Sequence, residues 1–195
     1  YTDPIFLGEY PEQGIEALGN NVPKYTDEEM AIISQPVDFC GLNLYSGFPV
    51  QTDQDLGWVC RERPIGNPLT AFKWSVTPEI MYWGPKFFYE RYKKPIYITE
   101  NGMSGHDWVN DQGEVNDPQR IQFLKAYLKQ YQKAASDKIP VKGYFLWSLM
   151  DNFEWEQGYE ERFGIVHVDF ETQERRLKDS AKWYSQCIES QGKIL

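Results

Sequence analysis

An α/β fold built on parallel strands is predicted by three features of the sequence. Short apolar segments at 37–45, 96–99 and 141–148 lack the clean alternation of strands with one face in water. Stretches with helical apolar spacing separate them, and the connections have the length that parallel crossovers require. The 195 residues match one domain in size, and 41% apolar residues suffice to bury a core.

Each element has its own signal. Thr26-Asp27-Glu28-Glu29 is a Thr-x-x-Glu capping box that opens a short helix, stopped near Pro36. Val37 to Tyr45 is the first strand, apolar enough to be expected covered on both faces. A polar, Pro- and Gly-bearing loop runs on to about Pro68. Thr77 and Pro78 supply the N-cap and first turn of the next helix, whose apolar positions include Ile80, Trp83, Phe87 and Phe88. Lys93-Lys94-Pro95 ends it, because a residue before proline is pushed out of the α region. Ile96 to Thr99 is the second strand and runs into Glu100-Asn101-Gly102. Asp117-Pro118 opens a helix with Ile121, Leu124, Leu128 and Tyr131 on one face, and Pro140 separates it from the third strand, Val141 to Ser148. An aromatic loop follows. A last amphipathic helix starts near Asp179 and carries Trp183, Tyr184, Cys187 and Ile188.

Composition narrows the function. The net charge is −9 with scattered basic residues, so there is no electrostatic footprint for nucleic acid or an anionic membrane, and a neutral ligand fits better. Seven Trp and thirteen Tyr exceed what packing alone usually calls for and suit contact with flat ligands. Cys40, Cys60 and Cys187 are odd in number and lack paired spacing, which leans toward a reducing, cytoplasmic compartment. His106 and His167 have no metal-ligand spacing. Asp107 to Asp117 is acidic and turn-rich without the calcium-loop pattern, and reads as a solvated surface loop. No apolar run approaches the roughly 20 residues that span a bilayer. No signal peptide opens the chain, but Tyr1 stands where Met would, and the opening residues read like the interior of a longer protein.

Glu100 ends a buried parallel strand, where barrel enzymes place catalytic groups. Alone, a Glu before an Asn-Gly turn is as readily a surface residue. Longer motifs change that reading. Tyr97 to Gly102, the run from Gly143 to Trp155 with its Trp-Ser-Leu-Met-Asp-Asn-Phe-Glu-Trp core, and Phe163 to Asp169 resemble, in order and spacing, the last part of family 1 glycoside hydrolases. The resemblance runs from about Asp3 to the C-terminal helix.

It implies the C-terminal portion of a (β/α)8 barrel, three of eight strands, with residues 1–195 forming part of one domain. The activity it implies is a retaining β-glucosidase that acts on a small β-glucoside or cello-oligosaccharide without a cofactor. Glu100 would be the nucleophile, and the Tyr45 hydroxyl would orient it. Asn43, Trp74, Trp147, Glu154, Trp155 and Phe163 would bind substrate: Trp147 as the floor under the glycone, Glu154 and Trp155 on its hydroxyls, and Trp74 on the aglycone side. Lys73 precedes Trp74 where Gly or Asp is common in the family. Glu154 would repel a phosphate, which argues against the 6-phospho-sugar relatives. The family's second carboxyl group lies in an Asn-Glu-Pro segment that does not occur here. Asp151 and Glu156 are poor substitutes, because the resemblance puts their loop on the glycone side. The expected partner is therefore an N-terminal complementing half, or an oligomer. The rival expectation is a non-catalytic, sugar-binding or assembly piece.

Overall fold

The computed structural model describes all 195 residues. Helices α1 (Thr2–Leu7), α2 (Glu12–Leu18) and α3 (Asp27–Ile33) precede strand β1 (Cys40–Asn43). A hairpin of β2 (Val50–Asp53) and β3 (Gly57–Cys60) follows, then α4 (Ile80–Tyr92), β4 (Ile96–Asn101), α5 (Pro118–Ser136) and β5 (Val141–Leu146). A second hairpin, β6 (Val166–Val168) and β7 (Arg175–Leu177), leads into α6 (Asp179–Glu189). The main sheet has the order β1-β4-β5, and both pairings are parallel.

Parallel strands leave their connecting helices free to pack back on the sheet. Cys40, Leu42, Ile96 and Ile98 face α4 and α5 and join Met81, Phe123, Leu124, Tyr127 and Tyr131 in one apolar core. Tyr127 and Leu124 are wholly buried, and the rings of Phe123 and Tyr127 stack at 3.8 Å.

The other face of the sheet is bare. A Cβ placed on Gly41 would touch Thr99 and Phe39, and one on Gly143 would touch Tyr97 and Phe145, so these side chains share that face. Phe39 is 48% exposed and Phe145 59%. The expectation of strands covered on both faces is thereby corrected: helices cover one face only.

Other expectations are met or amended in detail. The capping box at α3 is present, with Glu29 N–H donating to Thr26 Oγ1 at 3.2 Å and Thr26 N–H to Glu29 Oε2 at 2.8 Å. The segment predicted as loop to Pro68 contains the β2–β3 hairpin, whose residues are mostly exposed. Thr77 does not cap α4, because its hydroxyl accepts from Gly47 N–H at 2.7 Å. On α4 the buried residues are Met81, Tyr82, Pro85 and Tyr92, whereas Trp83 and Phe87 are exposed. Ile188 on α6 is also exposed, and the third strand ends at Leu146 rather than Ser148. No helix is long and apolar enough to cross a membrane.

Candidate active site

Parallel strands bring their C-terminal ends to one edge of a sheet, so residues far apart in the chain meet there. Asn43 is in register with Glu100, and Asn101 with Leu146. Tyr45 leaves β1, Glu100 sits next to last in β4, and Trp147 follows β5 directly.

Asn101 ties the three ends together and is wholly buried. Its Nδ2 donates to Leu44 O at 2.7 Å, and its Oδ1 accepts from the Tyr144 hydroxyl at 2.7 Å. Backbone does the rest. Trp147 N–H donates to Asn101 O at 2.9 Å, and a Cβ on Gly102 would run into the Trp147 carbonyl oxygen. Only glycine lets the two strand ends approach this closely.

The central contact is a hydrogen bond from the Tyr45 hydroxyl to Glu100 Oε2 at 2.7 Å. Tyr45 is itself held from behind: Tyr127 O–H donates to Tyr45 O at 3.0 Å, and Thr77 N–H donates to Tyr127 Oη at 2.8 Å. Burial raises the Tyr45 pKa above that of an ordinary phenol, and the bond to the Glu100 carboxylate and the nearby Glu154 charge push it the same way. Tyr45 therefore stays a neutral donor.

Aromatic rings wall this pair. Tyr45 lies 5.1 Å from Trp74 and 6.3 Å from Phe163, edge to face in both cases. Phe72 adds a fourth ring, 4.5 Å from Trp74. Sequence reading missed Phe72, for which the only signal is an aromatic two residues before Trp74 in a polar loop. Trp147 Nε1 donates to Glu154 Oε2 at 3.3 Å, joining the two ends of the loop after β5. Asn43 sits on the bare face, where its Oδ1 accepts from Thr99 Oγ1 at 2.7 Å. Trp155 is 79% exposed, outside the aromatic cluster.

Beneath these loops lies a buried ionic cluster. Lys178, wholly buried, donates to Asp107 Oδ2 at 2.6 Å and to Asp151 Oδ1 at 2.8 Å. Arg120 pairs with Asp107 and Asp117, and Arg162 with Asp151. Asp151 also accepts from Gly164 N–H at 3.0 Å. Asp107 feels burial, which would raise its pKa, but Arg120 and Lys178 outweigh that and hold it low. The reading of Asp107 to Asp117 as a solvated loop holds between its ends, where Trp108, Asp111, Gln112, Glu114 and Asn116 are exposed, and is corrected at Asp107 and Asp117, whose carboxylates are buried by their cationic partners. The Asp151 carboxylate is enclosed by four donors, Arg162, Lys178 and the N–H groups of Gly164 and Val168, and none of its side chain is in solvent. No three His, Cys, Asp or Glu side chains converge in metal-ligating geometry.

The model of Glycosyl hydrolase family 1 matches residues 1–193. Beta-glucosidase A of Thermotoga maritima is 44% identical over 193 residues, spanning 98% of this chain and 43% of that protein. The 1,4-beta-D-glucan glucohydrolase of Thermotoga neapolitana is 43% identical over 193 residues, spanning 98% of this chain and 44% of its own length. Among solved structures, the beta-glucosidase from Thermotoga maritima in complex with glucoimidazole superposes with a TM-score of 0.88 at 45% identity. That match covers 97% of this chain and 43% of the other. The chain thus spans less than half the length of these relatives.

Proposed function

The chain belongs to glycosyl hydrolase family 1, and from that membership and the geometry around Glu100 we propose that it forms the nucleophile-bearing part of a retaining β-glucosidase. The observation that carries the reading is the Tyr45–Glu100 hydrogen bond inside a wall of aromatic rings. A carboxylate oxygen aimed by a neutral donor suits in-line attack on an anomeric carbon. In this reading Glu100 forms a glycosyl ester, and water later releases the sugar with retention.

Trp147 offers an indole face to the C–H bonds of the glycone, while Glu154 and Trp155 take its hydroxyls. Trp74 and Phe163 line the approach, and Asn43 borders the pocket from β1. The substrate is a terminal non-reducing β-D-glucosyl group on a small aglycone or cello-oligosaccharide; galactosides and fucosides present hydroxyls to the same residues.

Retention needs a second carboxyl group about 5–5.5 Å from the nucleophile. We propose that a polypeptide segment outside residues 1–195 supplies it. The bare sheet face supports this, since Phe39, Tyr97 and Phe145 project where a closed barrel would pack its interior. The three parallel strands are then three of eight.

Replacing Glu100 with Gln in the completed enzyme tests the assignment. Turnover of an aryl β-glucoside should fall by roughly a thousandfold or more, as for loss of other covalent nucleophiles; unchanged turnover would remove Glu100 from the role. The absence of Asn-Glu-Pro favours a second reading for the chain on its own, a sugar-binding remnant. Titration with glucose and cellobiose under Trp fluorescence separates the two: turnover means catalysis, and saturable binding alone means the remnant.

A further inference from the structure

We propose that Lys178 is a positioning residue whose buried ammonium sets the placement of the loop after β4 against the loop after β5; its effect on turnover rests on the reading of Glu100 and Glu154 given above. Asp107 belongs to the first loop, seven residues beyond Glu100, and Asp151 to the second, three residues before Glu154. Lys178 lies between β7 and α6 and is the one cation bonded to both aspartates. Arg120 reaches Asp107 and Asp117 but not Asp151, touching the second loop only at the Arg162 carbonyl, and Arg162 reaches Asp151 but not Asp107.

Asp107 also has Arg120 and Asp151 also has Arg162, but the dry Lys178 ammonium meets both carboxylates only when the two loops close on it. Without that cation each carboxylate keeps its arginine, but the bridge between the loops is gone and the two negative charges face each other with less positive charge between them, so the loops are held less tightly. The bond from Gly105 N–H to Arg162 O, 3.0 Å, crosses the same junction and would open with them. Lys178 has no hydrogen bond to Glu100 or Glu154, so it acts on the site only through the loops. Glu100 is held within β4, whereas Trp147 and Glu154 sit on a loop, and their separation is therefore what the ammonium controls.

The test compares the chain with Lys178→Met, and with Lys178→Met combined with Asp107→Asn, which removes one of the two carboxylate charges that faced the ammonium and guards against failure to fold. Amide hydrogen exchange is read first and needs no activity. Protection at Gly105 and Gly164 should fall at least roughly tenfold more than at Leu124 and Tyr127 in α5, because the junction opens while the core stays closed. Uniform loss across the chain, or no loss at the junction, overturns the proposal. In the enzyme completed by its missing segment, kcat should drop roughly 100-fold, the scale of an ångström of misplacement, with KM moving much less; Lys178→Arg, which keeps the charge, should recover most of it. A kcat that follows only the folded fraction also overturns it. If the completed wild-type enzyme hydrolyses no β-glucoside, the functional reading fails while the exchange data still decide the role of Lys178.

Discussion

Tyr45 is restrained at both ends, by Glu100 at its hydroxyl and by Tyr127 at its carbonyl. Hydrogen bonds to charged groups contribute about 1.5–3 kcal/mol, so in the completed enzyme proposed above Tyr45→Phe should lower kcat by roughly 10- to 150-fold while leaving the fold intact. Steady-state kinetics beside a thermal melt would check this, and an unchanged kcat would mean that the hydroxyl does not aim Glu100 for the role proposed. His167 makes a separate residue-scale prediction. It is 7% exposed, its Nδ1 has no partner, and burial, reinforced by Arg162, lowers its pKa below the ordinary 6.5. In acid the unfolded chain then binds a proton that the folded chain resists. Stability attributable to His167 is full above pH 6.5 and is lost as pH falls through its folded value. Urea midpoints at pH 7.5 and 5.5 should differ more for the wild type than for His167→Phe; equal differences would exclude His167 as the cause. Asp107, held low by Arg120 and Lys178, adds a second loss further down, below the usual carboxylate range.

At the level of elements, the sequence was most legible where a helix or strand has one face in the core and least legible where neither face is. The capping box, α4, α5, α6 and the three parallel strands carry apolar patterns and end signals. The β2–β3 hairpin carries none, because Val50, Leu56 and Trp58 stand in water and its order comes from backbone pairing. Helices α1 and α2, of six and seven residues, are too short to show a period. The junction of β4 and β5 was also invisible, since nothing in the letters Asn-Gly says that a second backbone will press on Gly102. Gly102→Ala should therefore do more harm than a surface change. Its Cβ meets the Trp147 carbonyl, which cannot rotate away, so a cost of about 1–3 kcal/mol and a displaced Trp147 are expected. Chemical denaturation and Trp fluorescence would register both, and a variant as stable and bright as the wild type would show that the two strand ends are not tightly apposed.

For the molecule as a whole, the uncovered sheet face dominates behaviour. Phe39 and Phe145 expose aromatic surface beside open edges of β1 and β5, a combination that invites association. The chain alone should bind a hydrophobic dye and self-associate with rising concentration. Phe39→Ser with Phe145→Ser should reduce both, and should also weaken complementation by a polypeptide carrying the remaining strands. Light scattering and dye fluorescence measure the first effect, and recovered β-glucoside hydrolysis the second. A monodisperse chain that ignores the dye would mean that this face is tolerated in water as it stands.

By itself the sequence determined the alternating parallel architecture and the family likeness, because periodicity and rare-residue motifs are local properties of the chain, and through that likeness it pointed to Tyr45 beside Glu100. It also named Trp74, Trp147, Glu154 and Phe163, which the fold brings to the same edge of the sheet. Tertiary structure alone decided that Asp107, Asp117 and Asp151 are buried beside Arg120, Arg162 and Lys178, that one sheet face is bare, and that Trp155 stands exposed. The physical reason is that charge burial depends on partners distant in sequence. An aspartate between His and Trp reads the same whether it faces water or a lysine 71 residues away.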